Sequence, residues 1–375
     1  MRRLGSTVLL SGASGPIPPS GADPASHAPG PRGVKVRAND TVQMASFATI
    51  AVGAPAADAL CLTRFADNEQ PWPPAPDAVP PSLPCGPQRA ALNVIPAVGD
   101  DGTVVTVSTA ANNSRYTFVI AVTSNLAPKW ATSLRDFLDD GCVTVPIDAP
   151  PDTTDPVLLG HCRIGTKPGV EPATNQRPAG RAINESSSSP VILPDGGVLY
   201  GAYTSYNGSR GHLFKINQHG KKVAAYDFGW DITPAVYRHH GTYSIVLKDN
   251  HYAEAQYDMT QLDRNLNLEW TFRATNPLSC HRDPDGTVSC VDDGEHPTGF
   301  EWCVNAPAID EDGNVYANSE DGWVYKLGQG GVLRDRMFLL ESLGAAYTPI
   351  SLDCKGRLFS LNGGDLFVID AKHGH

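Results

Sequence analysis

The stretch Asp310–Leu327, DEDGNVYANSEDGWVYKL, decides the fold. Two alternating runs, Asn314-Val315-Tyr316-Ala317 and Trp323-Val324-Tyr325-Lys326, flank Asn318-Ser319-Glu320-Asp321-Gly322. Period-two β-branched and aromatic residues on either side of an Asp-Gly turn are a β-hairpin pattern, because glycine takes the turn conformation that other residues adopt only at a cost. Asp312-Gly313 makes a second turn, and Ala306-Pro307-Ala308-Ile309 precedes it. The unit therefore reads strand, turn, strand, turn, strand.

Relatives of this unit recur along the chain. Ile95-Pro96-Ala97-Val98 precedes Asp101-Gly102, Ser189-Pro190-Val191-Ile192 precedes Asp195-Gly196, Thr233-Pro234-Ala235-Val236 precedes Gly241, and Thr348-Pro349-Ile350-Ser351 precedes Gly356. With Pro307, five prolines are spaced by 94, 44, 73 and 42 residues. The two short spacings set the period, and the long ones are one period plus an insertion. Four short strands in roughly 40 to 50 residues are one propeller blade.

The pattern resembles the PQQ-like, quinoprotein-type β-propeller repeat, which runs small-Pro-aliphatic, Asp-Gly-x-Val-Tyr, Asp-Gly-x-Leu-Tyr, then Asp-x-x-Gly with a frequent Trp. The fourth element is matched by Val122 to Trp130, Ile216 to Gly220, Leu262 to Trp270 and Leu327 to Gly331. The resemblance covers about residues 92 to 370. It implies an all-β chain forming a single β-propeller of four-stranded antiparallel blades; five blade signals are read, and about five to seven blades fit. Residues 1–41, rich in Gly, Pro, Ala and Ser from 11 to 35, are expected to be a disordered or signal/linker segment, and 42–375 the propeller domain. Phe47 to Val52 is expected as an extra strand that could complete the last blade.

Two insertions break the period, at about 134–187 and 276–299. Insertions of this length in a compact domain are packed decorations or functional covers. Eight cysteines include no Cys-x-x-Cys and no adjacent pair, which favours disulfides in an oxidising compartment over a zinc site. The expected pairs are Cys61 with Cys85, Cys142 with Cys162, and Cys280 with Cys290, the last across a Pro284-Asp285-Gly286 turn; Cys303 and Cys354 are left over. The expected location is exported: periplasmic, cell-surface or extracellular. Arg2-Arg3 before Leu4 to Leu10 starts like a signal peptide, with too few consecutive apolar residues for a good apolar region. No stretch approaches a transmembrane span.

A net charge of −11 argues against nucleic acid or an anionic membrane surface as partner. The patterns Gly-x-Ser-x-Gly, His-Glu-x-x-His, Gly-x-Gly-x-x-Gly and Walker are absent. Asp310-Glu311-Asp312-Gly313-Asn314 places its glycine too early for a calcium loop and reads as a turn.

In a propeller, the residues just before each blade's first strand gather at one mouth of the central channel. Those positions collect a ligand-binding set of Trp230, Asp231, Glu301, Trp302, Asn305 and Tyr347, with Asn93, Ser187, Ser188, Thr233 and Thr348 beside them. Indole and carboxylate are neighbours twice, as in sites for sugars or cations. The same residues have a structural reading, in which the small polar groups satisfy backbone and the Trp rings pack between blades. A second cluster, His239-His240 and Lys248-Asp249-Asn250-His251-Tyr252, makes His240, Asp249 and His251, with Glu301, the catalytic candidates.

Quinoproteins of this repeat type hold PQQ with Ca²⁺ under a ring of adjacent cysteines. This chain lacks adjacent cysteines, so no cofactor and no metal are expected. Other proteins with these repeats are secreted or envelope-attached scaffolds and ligand binders. The resemblance therefore implies an exported binding or scaffold module, acting as a monomer on a small molecule, a carbohydrate or a protein. The alternative is a secreted enzyme on a sugar or alcohol, of polysaccharide lyase, hydrolase or quinoprotein dehydrogenase type.

Overall fold

A computed structural model describes residues 8–12, 32–36, 42–65, 74–138, 170–171, 173–182, 188–203, 211–228, 232–251, 255–292, 294–302, 304, 306–341 and 348–370. Strands β1 (Val8–Gly12), β2 (Arg32–Val36) and β3 (Val42–Ser46) make an antiparallel sheet in that order. Two of these strands lie in the segment expected to be disordered. The Gly/Pro-rich composition holds for its middle, whereas Val8-Leu9-Leu10 and Val34-Lys35-Val36 carry strand-forming residues. The strand expected over Phe47 to Val52 is instead a helical turn, α1 (Phe47–Ile50), whose Ala48 N–H donates to the Ser46 hydroxyl at 3.2 Å. Next come the paired β4 (Leu60–Leu62) and β5 (Ser82–Pro84), joined by a Cys61–Cys85 disulfide.

The repeats then form one sheet each. β6 (Gln88–Ala90), β7 (Ala97–Val98), β8 (Val104–Ala110), β9 (Asn113–Val122) and β10 (Pro128–Ser133) make the first, ordered β10-β9-β8-β6 with β7 also on β8. β11 (Val191–Ile192), β12 (Val198–Tyr203), β13 (Gly211–Ile216) and β14 (Lys222–Phe228) make a four-stranded sheet, as do β15 (Ala235–His239), β16 (Thr242–His251), β17 (Gln256–Asp263) and β18 (Leu268–Arg273). The hairpin β19 (Leu278–Arg282) and β20 (Val288–Asp292) follows, with Cys280 directly opposite Cys290 and disulfide-bonded to it. β21 (Ala308–Ile309), β22 (Val315–Asn318), β23 (Trp323–Gly328) and β24 (Val332–Phe338) form the next four-stranded sheet. β25 (Ser351–Leu352), β26 (Arg357–Asn362) and β27 (Asp365–Asp370) form the last. Four-stranded antiparallel meanders, as in three of these five sheets, are the blades of a β-propeller.

The Asp-x-x-Gly turns hold the blades' inner hairpins by one device. Asp310 Oδ1 accepts from Asp312 N at 3.1 Å and Asn314 N at 2.8 Å, and Gly313 closes the turn at φ +79°. Asp353 repeats this with Lys355 N and Arg357 N, while in two other turns, which lack the first aspartate, the Asp just before the turn glycine, Asp101 or Asp195, accepts from the amide two residues on. The side chain thus takes up amides the turn would otherwise leave unpaired.

Contact density divides the chain into two units: Met1–Ile192 with Ala202–Gly208 and Ile216–Lys222, and Leu193–Gly201 with Ser209–Lys215 and Val223–His375. The first has a core of Phe47, Ile50, Val104, Phe118, Ile120 and Leu126, with the buried Cys61 and Cys85 against Ala110 nearby. The second has a larger core that includes Trp270, Trp302, Val315, Tyr316, Tyr325 and Leu358. No described helix is long and apolar enough to cross a membrane.

The expected Cys142–Cys162 bond, Cys303 and most of the 134–187 insertion lie outside the described residues. Cys354 is an exposed free thiol.

Candidate functional site

The Glu301–Trp302 segment is clamped between the ends of two hairpins. On one side, Asn250 Nδ2, near the end of β16, donates to Trp302 O at 2.9 Å, and Trp302 Nε1 donates to Tyr257 O of β17 at 3.1 Å. On the other, the β22–β23 turn donates Ser319 Oγ at 3.1 Å and Glu320 N at 3.3 Å to Glu301 O. Trp302 is fully buried, its ring edge-on to Tyr325 at 5.1 Å and to Phe272 at 6.1 Å. An indole without exposed surface has no face to offer a ligand, so what the dipeptide can present is the half-buried Glu301 carboxylate. The Tyr257 phenol is pushed above its ordinary pKa by burial first, then by the charges of Glu301 and Glu320.

The second cluster separates by strand geometry. Asp249 and His251 share one face of β16, while Lys248 and Asn250 point to the other. Asp249 is 3% exposed, and its Oδ1 lies 2.9 Å from His251 Nε2. Its Oδ2 accepts from the Tyr226 hydroxyl at 2.7 Å and from Thr260 Oγ1 at 3.2 Å. Burial, then the Asp249 charge, hold the Tyr226 phenol protonated far above its usual range. Directly across the ladder stands Asp258, a like charge that would destabilise the pair. Arg273 takes both Asp258 oxygens, Nε to Oδ1 at 3.0 Å and a terminal nitrogen to Oδ2 at 2.9 Å, and so offsets it. The result is a buried carboxylate orienting a half-exposed imidazole.

His240 is not part of this group. It occupies the turn at the far end of β16, roughly 30 Å of strand away, at φ +44° and edge-on to His239. Glu301 lies on the opposite side of the sheet, beside Asn250. The structure therefore unites Asp249 with His251 and leaves the other two catalytic candidates elsewhere.

Of the small polar positions, Thr348 Oγ1 donates to Leu361 O at 2.9 Å, a backbone duty, Ser188 is fully buried, and Ser187 lies outside the described residues. Trp230, Asp231, Asn305 and Tyr347 lie outside the described residues. Among the described residues, no group of three or more His, Cys, Asp or Glu is placed to hold a metal ion.

Sequence reading missed a repeated asparagine. Asn250, Asn318 and Asn362 stand at or next to the end of the second strand of three successive blades. Asn250 holds Trp302 O, Asn318 Nδ2 donates to Asn362 Oδ1 at 3.1 Å, and Asn362 Nδ2 donates to Leu340 O at 2.9 Å. The signal was available as an asparagine at one repeat position. Tyr226 was missed too, and its partner is 23 residues away in another sheet.

No family model and no curated protein matches the chain. Among solved structures, BamB from Moraxella catarrhalis is similar at 12% identity, over 96% of this chain and 99% of that one, with a TM-score of 0.34. The hydrazine synthase of Kuenenia stuttgartiensis is similar at 12% identity over 91% and 89%, with a TM-score of 0.40. The Dos1 propeller is similar at 11% identity over 76% and 67%, with a TM-score of 0.34.

Proposed function

We propose that this chain is an exported, monomeric, PQQ-like propeller that serves as a ligand-binding or scaffold module and works without PQQ or Ca²⁺. The observation that supports it is the clamped Glu301: its backbone is fixed by two hairpin ends, and its charge acts on Tyr257. A preorganised carboxylate beside a phenol binds hydroxyls or a cation at low ordering cost. Trp230, Asp231, Asn305 and Tyr347 complete this proposed mouth site, and the small molecule or carbohydrate class follows from its aromatic and acidic composition. Export is supported by the Cys61–Cys85 and Cys280–Cys290 disulfides.

Calorimetric titration with a panel of neutral and amino oligosaccharides tests the reading. Binding should occur and should weaken in Glu301→Gln without loss of fold. Adding PQQ with Ca²⁺ should leave Tm unchanged, whereas a tight ligand at 100 times its Kd would stabilise by about 2.7 kcal/mol. A large upward shift with dye reduction on an alcohol would replace this reading with a dehydrogenase.

A second reading, a secreted enzyme acting on a sugar or alcohol, is favoured by the Asp249–His251 pair. An imidazole oriented by a buried carboxylate is suited to proton abstraction. It requires turnover that disappears in His251→Ala while the fold survives.

A further inference from the structure

We propose that His239 and His240 form a two-imidazole site for a late first-row divalent cation, Zn²⁺ or Cu²⁺, at the β15–β16 turn. The site is independent of the Glu301 mouth and of the Asp249–His251 pair, and its nitrogen donors do not suit Ca²⁺.

The turn brings the pair together. His239 pairs with Thr242 across the ladder, which leaves His240 and Gly241 as a two-residue loop at φ +44° and +76°. Two left-handed residues make a type I′ turn, where Asn or Asp before Gly is the usual choice. Here the first position carries an imidazole. A Cβ on Gly241 would meet nothing within 4 Å, so there is open space beside the turn.

His239 is held from two sides. The Tyr237 ring stacks on it with 4.7 Å between centroids and 21° between planes. Tyr237 is itself seated against Gly313, where a Cβ would stand 2.6 Å from the phenol ring. On the other side, His239 Nε2 lies 2.8 Å from Ser244 Oγ. Ser244 is 1% exposed and stands opposite Tyr237 in the ladder, so this hydroxyl is fixed in place. A ligating imidazole almost always gives its outer N–H to such a partner, which sets the tautomer and frees the other nitrogen for the metal. Binding through Nδ1 requires the hydrogen on Nε2, and Ser244 Oγ is placed to accept it.

His240 supplies the second donor. Its ring stands edge-on to His239, at 5.6 Å and 81°, and the two Nδ1 atoms are 3.4 Å apart on the facing edges. That separation is longer than the range of about 2.7 to 3.2 Å usual for an N–H donor. It matches the bite of a metal: two nitrogens each about 2.0 to 2.1 Å from zinc, at a tetrahedral angle, stand roughly 3.3 to 3.4 Å apart. His240 is exposed, so a small ring rotation aims both lone pairs at one point. Among the described residues no third His, Cys, Asp or Glu joins them, which leaves the remaining positions to water. Imidazole selects zinc or copper over magnesium or calcium, and the chain's net charge of −11 favours a cation.

The probe is Zn²⁺ alone, titrated into the full chain by calorimetry with Tm measured in parallel. Wild type should bind zinc and rise in Tm. His240→Gln, a change at an exposed turn, should keep the zinc-free Tm and bind at least about tenfold more weakly, and Ser244→Ala should weaken binding about tenfold with both imidazoles still present. Ca²⁺ in about tenfold excess should displace none of the zinc. Two outcomes overturn the proposal: equal zinc uptake by wild type and His240→Gln, meaning that the imidazoles only hydrogen-bond each other, or displacement by Ca²⁺, meaning an oxygen-ligand site elsewhere. Unchanged affinity in Ser244→Ala would overturn the role assigned to that hydroxyl.

Discussion

The Tyr226 hydroxyl donates to Asp249 Oδ2 at 2.7 Å, so a phenol from β14 completes the coordination of the buried carboxylate that faces His251. Asp249→Asn should destabilise by about 1 to 3 kcal/mol, because an amide cannot accept from all three neighbours, and Tyr226→Phe by about 1 kcal/mol. In denaturant unfolding, the double variant should cost less than the sum of the two. Simple additivity would mean the hydrogen bond carries no coupling.

Trp302→Ala should cost about 3 to 5 kcal/mol, the range for removing a large aromatic from a packed core. Glu301→Gln, changing a half-buried head group, should stay within about 1 kcal/mol. Equal losses for the two would contradict the burial difference between these neighbours.

The turn carboxylates set an acid limit. Asp101 is lowered to about 2 from 3.8, first by the Thr103 hydroxyl and then by the Thr103 amide. A folded-state pKa below the unfolded one means stability present above pH 3.8 and lost as pH falls through about 2. Asp195, Asp263 and Asp353 are lowered as well. Buried Asp321 runs the other way: desolvation raises it, despite the hydroxyl of Tyr325 and Asn276 Nδ2 at 2.9 Å. It opposes folding as pH rises above its unfolded value, so Asp321→Asn should flatten the fall in stability on the alkaline side of about pH 4. Unfolding free energies measured from pH 2 to 7 in wild type, Asp101→Asn and Asp321→Asn check both signs.

Non-reducing denaturation should leave the thiols of Cys61, Cys85, Cys280 and Cys290 unavailable while Cys354 reacts in the native state. Replacing Cys61 and Cys85 by serine should cost about 3 kcal/mol, from releasing a 24-residue link in the unfolded chain. Native-state labelling of Cys61 at the rate of Cys354 would contradict its burial.

Asn318→Ala should cost about 1 to 3 kcal/mol, since it strands the buried Asn362 amide oxygen. Asn318→Asp, which keeps the shape and removes the donor, should cost at least as much. Thermal unfolding of both variants measures this.

Local sequence was enough for the blades. Asp310-x-x-Gly313 and Asp353-x-x-Gly356 close their turns with the side chain of their first residue, and Asp101-Gly102 and Asp195-Gly196 with the Asp beside the glycine, so hairpin positions follow from a few residues in a row. The same locality made Cys280–Cys290 legible, because a Pro-Asp-Gly turn sets the two residues opposite each other. The strand ends were not legible. β16 runs through Lys248, Asp249 and Asn250 to His251, since partners from other elements allow polar residues to be buried there. Faces were not legible either. Alternation says that Asp249 and Asn250 point in opposite directions, but which one meets Tyr226 and which meets Trp302 depends on how neighbouring sheets stack. For the same reason Trp302, expected beside Glu301 as a ligand platform, is in the core. The sheet that buries it is brought there by packing over long sequence separations, which no local pattern encodes.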